Sequence, residues 1–435
     1  MSIAPSGRGR RVAAVVAATL GLALAAGCSS SGGTDDKTAA PPAGGDAADL
    51  TATITYALWD QTQVAGIEEN IAAFNEKYPN VTVNVDVTPW GDYWTKRQTE
   101  ASSNTLPDVF WMNGPNFQLY ASNGKLEPIT GLVDSGAIDP AKYPSALVDL
   151  YSYDGTSYGV PKDFDTIGIW ANKALFDEAG VALPEGDWTW EEFQSTAAEI
   201  SSALKDKGIY GAAAGMDGQT TYYPTIFQAG GTVVSDGTSG YDTPEAQAGI
   251  QFWTDLIASG ASPSMAQLTD QPADQWFLSG KLAMYQGGSW YRAALADAEF
   301  KDDVRVLPLP KGKEQANVIH GVANVVGANS KNKEAAQAFQ AFLATEEAQL
   351  TQAKSGIISA YTGTQGTFVE ALPDAGLQMF LDAADYAKPL PVSANTAAWN
   401  ALETELLPAA FSGERPVADV TADLAEQMNA ALAAE

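Results

Sequence analysis

The chain has 435 residues, with 24 Lys and Arg against 53 Asp and Glu and a formal net charge of −29. Charge of that size and sign excludes nucleic acid and an anionic membrane surface as direct partners, and it chiefly keeps a protein soluble. A single cysteine, Cys28, and a single histidine, His320, exclude a His/Cys zinc site; neither a metal nor a cofactor is expected.

At the N-terminus Arg8, Arg10 and Arg11 precede an uncharged run from Val12 to Ala26 that ends in Leu24-Ala25-Ala26-Gly27-Cys28. This is the pattern of a secretory signal peptide with a lipobox-like end. The run is shorter than the roughly 20 residues a helix needs to cross a bilayer. A plain signal peptide is the alternative, against which stands Cys28, the sole thiol, placed after the small residues Ala26 and Gly27. Arg10-Arg11 leaves twin-arginine export open. Residues 1–27 are therefore read as the signal peptide and 28–50 as a lipidated cysteine with a flexible tether, because Ser29–Asp49 lacks residues large enough to build a core. The protein is expected at the outer face of the cell membrane, held by its lipid.

The body from Leu50 onward is too long for one core and suits two domains. Ile54, Tyr56 and Leu58 alternate as in a strand; Val64, Ile67, Ile71, Phe74 and Tyr78 then recur at helical spacing, and Val81, Val83, Val85 and Val87 alternate again. The unit is βαβ, which implies a parallel pair with a right-handed crossover. Thr189 with Glu192 predicts a capping box ahead of a helix through Leu204 that closes at Gly208. Thr243-Pro244 opens another helix ending near Gly260, and a helix from about Asn332 to Ala344 follows a β-like run from Val318 to Val326. The fold class is α/β, with no internal repeat.

Catalytic signatures are missing: there is no Gly-x-Ser-x-Gly elbow, phosphate-binding loop or dinucleotide fingerprint. Asp163 and Asp165 would project to one side of an extended segment, too close for the opposed carboxylates of a glycosidase. Aromatic residues do stand in unusual places, Trp59 and Trp111 after strand-like runs and Trp290 in Gly287-Gly288-Ser289-Trp290-Tyr291. A pyranose stacks its C–H face on an indole and needs donors and acceptors for its hydroxyls. Ligands in open α/β sheets bind outside the carboxyl ends of strands. On that ground Trp59, Asp60 and Gln63 after the first strand are candidates. Asn113 and Asn116 after the third are candidates too, with turn formation as their alternative. Trp90 and Tyr93 are expected to be core.

Four segments in order carry a resemblance. They are Pro107–Trp111 with Tyr120–Leu126; Gly159-Val160-Pro161 running on to Asn172–Phe176; Phe277–Met284; and Ser330–Ala336 before Phe339. With them the chain resembles the bacterial extracellular solute-binding proteins of family 1, the maltose-binding-protein-like group, over nearly all of its body. The resemblance implies a two-lobed periplasmic-binding-protein-like fold, a mixed sheet flanked by helices in each lobe, and a ligand cleft at a hinge the chain crosses more than once. The crossings should lie near Pro161–Asp165, His320–Asn324 and Ser355–Ala360, giving one lobe from 51–163 plus 325–357 and the other from 164–322 plus 358–435. By matching motifs Asp165, Trp290, Trp399 and Tyr223 or Tyr222 should contact a sugar, with core packing the alternative for Trp399; His320 could reach the cleft or serve as a hinge histidine. The implied function is that of a monomeric, non-enzymatic binding protein delivering a sugar, an oligosaccharide, to an ABC permease. Another polar solute (a polyol, a glycerophosphodiester or a peptide) and a secreted glycoside hydrolase are the alternatives.

Overall fold

The computed structural model describes residues 47–296 and 298–435. The expected signal peptide, Cys28 and most of the expected tether therefore lie outside the described residues. No helix among those described is long and apolar enough to cross a membrane.

Chain order begins with β1 (Ala52–Leu58), α1 (Val64–Lys77), β2 (Val81–Val87), α2 (Trp90–Ser103), β3 (Val109–Asn113) and α3 (Gly114–Ser122). β1 pairs in parallel with both β2 and β3, as the alternation and the βαβ spacing predict. The chain then enters β4 (Gly159–Asp165), and one residue later β5 (Ile167–Asn172). There follow α4 (Trp190–Ala203), β6 (Tyr210–Ala212), α5 (Pro244–Ala258), β7 (Leu282–Gly288) and β8 (Val304–Leu307). The chain ends with β9 (Asn317–Val326), α6 (Lys333–Leu343), α7 (Glu346–Lys354), β10 (Ile358–Ser359), β11 (Ala387–Pro389), α8 (Thr396–Phe411) and α9 (Val417–Leu432).

Helix starts obey local chemistry. Thr189 and Glu192 form both bonds of a capping box at α4, and Thr243 accepts from the Ala246 amide with Pro244 in the first turn of α5. α4 ends at Ala203; a 3₁₀ turn, Lys205–Lys207, continues it, and Gly208 closes that turn at φ 65°.

Two sheets result. The first runs β10-β4-β9-β3-β1-β2 with β11 beside the start of β9; the second runs β8-β5-β7-β6. Both are mixed, since β9 is antiparallel to β3 and β4, and β5 is antiparallel to β7 and β8. One apolar core, including Ile54, Phe74, Val109 and Phe339, fills the first lobe. Another, including Phe176, Phe193, Trp253, Met284 and Leu424, fills the second. β4 passes directly into β5 of the other sheet, so the lobes are joined by crossing strands. Asn317 strengthens the crossing: its Oδ1 accepts from the Ile167 amide at 2.9 Å and its Nδ2 donates to the Ile167 carbonyl at 2.7 Å, so one side chain mimics a ladder residue. β10 and β11 join the first sheet, although the sequence reading placed residues 358–435 with the second lobe. The sheet continues through the hinge instead of stopping at it.

Candidate functional site

The register of the crossing strands decides what meets at the hinge. Asp165 stands opposite His320, and Asp163 opposite Val322, but the next pair is Pro161 with Ala323. Lys162 is thus the extra residue of a β-bulge, which re-aims a side chain at the point where pairing slips. Its ammonium, 2% exposed, donates to Gln63 Oε1 at 3.0 Å, pairs with the Asp163 carboxylate, and lies 4.3 Å from the centre of the Trp111 ring. Gln63 Oε1 also accepts from Gln352 on α7 at 3.0 Å, and its Nε2 donates to Asp60 at 2.9 Å. Asp163 spends its other oxygen on the Val322 amide at 2.9 Å.

Asp165 receives a hydrogen bond from Gln219 Nε2 at 2.6 Å, and His320 Nδ1 lies 3.9 Å from its second oxygen. Burial pushes the Asp165 carboxyl up to about 6; His320 and Gln219 lower it and Asp163 raises it. His320 Nε2 accepts from the Gly114 amide at 3.0 Å, so it ties the N-terminus of α3 to the hinge. Gln219 arrives from the second lobe on a π-helical turn, Gly218–Tyr222. The lobes also meet where α3 lies against α8, and where the turn Gln61–Gln63 lies against the turn Ser289–Leu295.

Of the residues singled out from the sequence, Asp60, Gln63, Asp165 and His320 converge on this seam, with Trp59 beside them. Asn113 is the N-cap of α3: its Oδ1 accepts from the Asn116 amide at 3.3 Å and side chain at 2.9 Å. Asn116 Oδ1 is buried with no hydrogen-bond partner, and so is Ser289 Oγ on the other lobe. Trp290 is half-buried, and its indole lies over Gly288, where an added Cβ would stand 1.8 Å from the ring. The glycine ahead of it is required by that close approach.

Three expectations are corrected. Trp399 is fully buried in the second core with its indole N–H on Ser393 Oγ at 2.8 Å, so it packs instead of presenting a face. Tyr222 and Tyr223 are also buried; their hydroxyls donate to Glu403 at 3.2 and 2.8 Å, joined by Tyr241 on the same carboxylate, while Asn400 donates to Glu403 at 3.1 Å. Trp90, expected in the core, is 55% exposed, whereas Tyr93 is core. Lys162, Gln219 and Glu403 escaped the sequence reading. Only Lys162 left a signal there, as a charge pair inside the apolar stretch Val160–Phe164.

Two α/β lobes joined by crossing strands, with aromatic rings and paired charges enclosed in the seam between them, define a two-lobed solute-binding protein. The chain belongs to the bacterial extracellular solute-binding protein family, whose model matches residues 59–350. It is 26% identical over 279 residues to a binding protein of Brucella abortus, covering 62% of this chain and 66% of that one. It is also 26% identical over 420 residues to a maltooligosaccharide ABC transporter solute-binding lipoprotein of Streptococcus pneumoniae, covering 92% of this chain and 91% of the relative. Among solved structures, an ABC substrate-binding protein from Listeria monocytogenes in complex with cycloalternan superposes with a TM-score of 0.82 at 24% identity, covering 88% of this chain and 99% of that one.

Proposed function

We propose that this protein binds a neutral oligosaccharide between its lobes, without turning it over, and delivers it to the permease of an ABC importer. The observation that carries the reading is the seam itself. Buried polar groups without partners, Asn116 Oδ1 from one lobe and Ser289 Oγ from the other, flank it, and they are the complement of sugar hydroxyls. The relatives' named ligands, maltooligosaccharides and galactooligosaccharides, support the class. A glycerophosphodiester fits less well, because Lys162 is neutralised by Asp163 and the hinge adds Asp165. Residues 51–163 plus 325–357 are assigned to one lobe and 164–322 to the other, while past residue 357 the short strands β10 and β11 belong to the first sheet and α8 and α9 pack in the second core; the sugar contacts are assigned to Asp60, Gln63, Asp165, Asn116, Trp59, Trp290 and His320.

A thermal-shift panel of mono- and oligosaccharides tests the function, since a ligand that binds only the native state raises the melting temperature. A sugar should do so and a glycerophosphodiester should not; the reverse result replaces the ligand class. Trp290→Ala should weaken sugar binding by about 1–3 kcal/mol, from the apolar face removed, with little change in ligand-free melting temperature. Intact affinity with a strongly lowered melting temperature would make Trp290 a packing residue.

Anchoring through Cys28 belongs to the same proposal. Cys28→Ser should release the processed protein into the medium or leave it as precursor. Undiminished membrane retention of processed protein on fractionation contradicts the anchor.

A further inference from the structure

Two large apolar side chains are exposed among the described residues, Trp90 at 55% and Leu350 at 36%. Trp90 is the first residue of α2 and leans edge-on against Trp59 with ring centres 5.3 Å apart; Trp59 in turn meets Trp111 at 4.9 Å. The row therefore starts at a fully buried indole under the Lys162 ammonium, passes the half-buried Trp59 beside Asp60 and Gln63, and ends in solvent. The surroundings of its outer end are open. No atom lies within 4 Å of where a Cβ would sit on the neighbouring Gly91, and Asp92 stands exposed in the same turn. An indole more than half exposed contributes little to the core, yet it is held in place by Trp59 and Trp94. A rigid, half-open ring with a carboxylate beside it suits the ring of a sugar.

Resting on the sugar reading above, we propose that Trp90 forms an outer subsite that stacks the terminal pyranose of an oligosaccharide reaching out past Trp59. Trp90 thereby sets a preference for ligand length. A short sugar occupies the seam alone and never reaches Trp90; a longer one gains the extra ring contact.

The test is titration calorimetry on the intact protein with maltose-, galactose- and arabinose-based series of two to five units, for wild type, Trp90→Ala and Trp90→Tyr. Affinity of Trp90→Ala for four or five units should fall about tenfold, the equivalent of one stacking contact. For two units it should change less than about twofold, with Trp90→Tyr retaining most of the long-ligand affinity and all three proteins melting together. A loss that is the same at every length overturns the subsite, and so does no loss at any length, which would leave the exposed ring free to serve the permease. If the wild type binds no sugar of any series, the functional reading fails first, and that outcome is distinguishable from the other two.

Discussion

Replacing Lys162 with Met will destabilise the protein by about 3–5 kcal/mol, the cost of removing one partner from a buried ion pair. Methionine keeps most of the side-chain length, so the loss comes from the Asp163 carboxylate, which is left enclosed with only the Val322 amide, and from Gln63, which loses a donor. The double variant Lys162→Met with Asp163→Asn should recover much of that loss. Its asparagine oxygen can still accept from Val322 and no charge remains buried. Urea denaturation of the two single variants and the double variant measures the coupling. If the double is no more stable than Lys162→Met, the pair does not act as described.

Glu403 should make stability fall as pH rises through neutrality. Burial is the main reason its carboxyl is pushed up to about 7 from an ordinary 4.5, while hydrogen bonds from Tyr241, Tyr223, Tyr222 and Asn400 pull it partly back. The folded protein thus holds this proton more tightly than the unfolded chain. Stability linked to it is fully present below about 4.5 and is lost as pH climbs toward and through 7, by about 3 kcal/mol in all. Glu403→Gln carries no titrating group there. Its free energy of unfolding, measured at pH 5, 6, 7 and 8, should decline less than that of the wild type. Asp165, also raised, contributes equally to both proteins and cancels in the difference. Parallel curves would mean that the tyrosine-ringed carboxylate does not titrate in this range.

These two residues also mark where the sequence stops being informative. The strands β1 and β2, the helix between them and the caps of α4 and α5 follow from periodicity and from side chains within four residues of each other. The close approach of Trp290 to Gly288 is likewise local, between residues two apart in the chain, although the glycine pair alone does not say what the ring packs on. Glu403, in contrast, meets Tyr222, Tyr223 and Tyr241 across more than 160 residues of chain, and Gln219 reaches Asp165 across 54. Nothing in the spacing of either segment announces such a partner. The exposure of Trp90 was missed for the opposite reason: an aromatic at the start of an amphipathic helix normally turns inward, and here Tyr93 takes the inward place. The bulge at Lys162 needs the opposing strand to be known, because a register slip is a property of a pair.

The position of β9 has a consequence for how the chain comes to be folded. β9 lies between β3 and β4 in the first sheet, yet residues 114–316 separate it from β3 in the chain. A nascent polypeptide that has emerged only as far as β8 holds the first sheet as the three strands β3-β1-β2 and, apart from them, the single strand β4, whose partners β9 and β10 are both still to come; unpaired edges of this kind invite wrong pairing. Pairings this distant in sequence are slow to form, since loop closure precedes any reward. The first lobe, although it begins near the N-terminus, is therefore completed late. Any shortened chain ending before Asn317 is expected to aggregate, because the strand that would join its two halves has not yet been made.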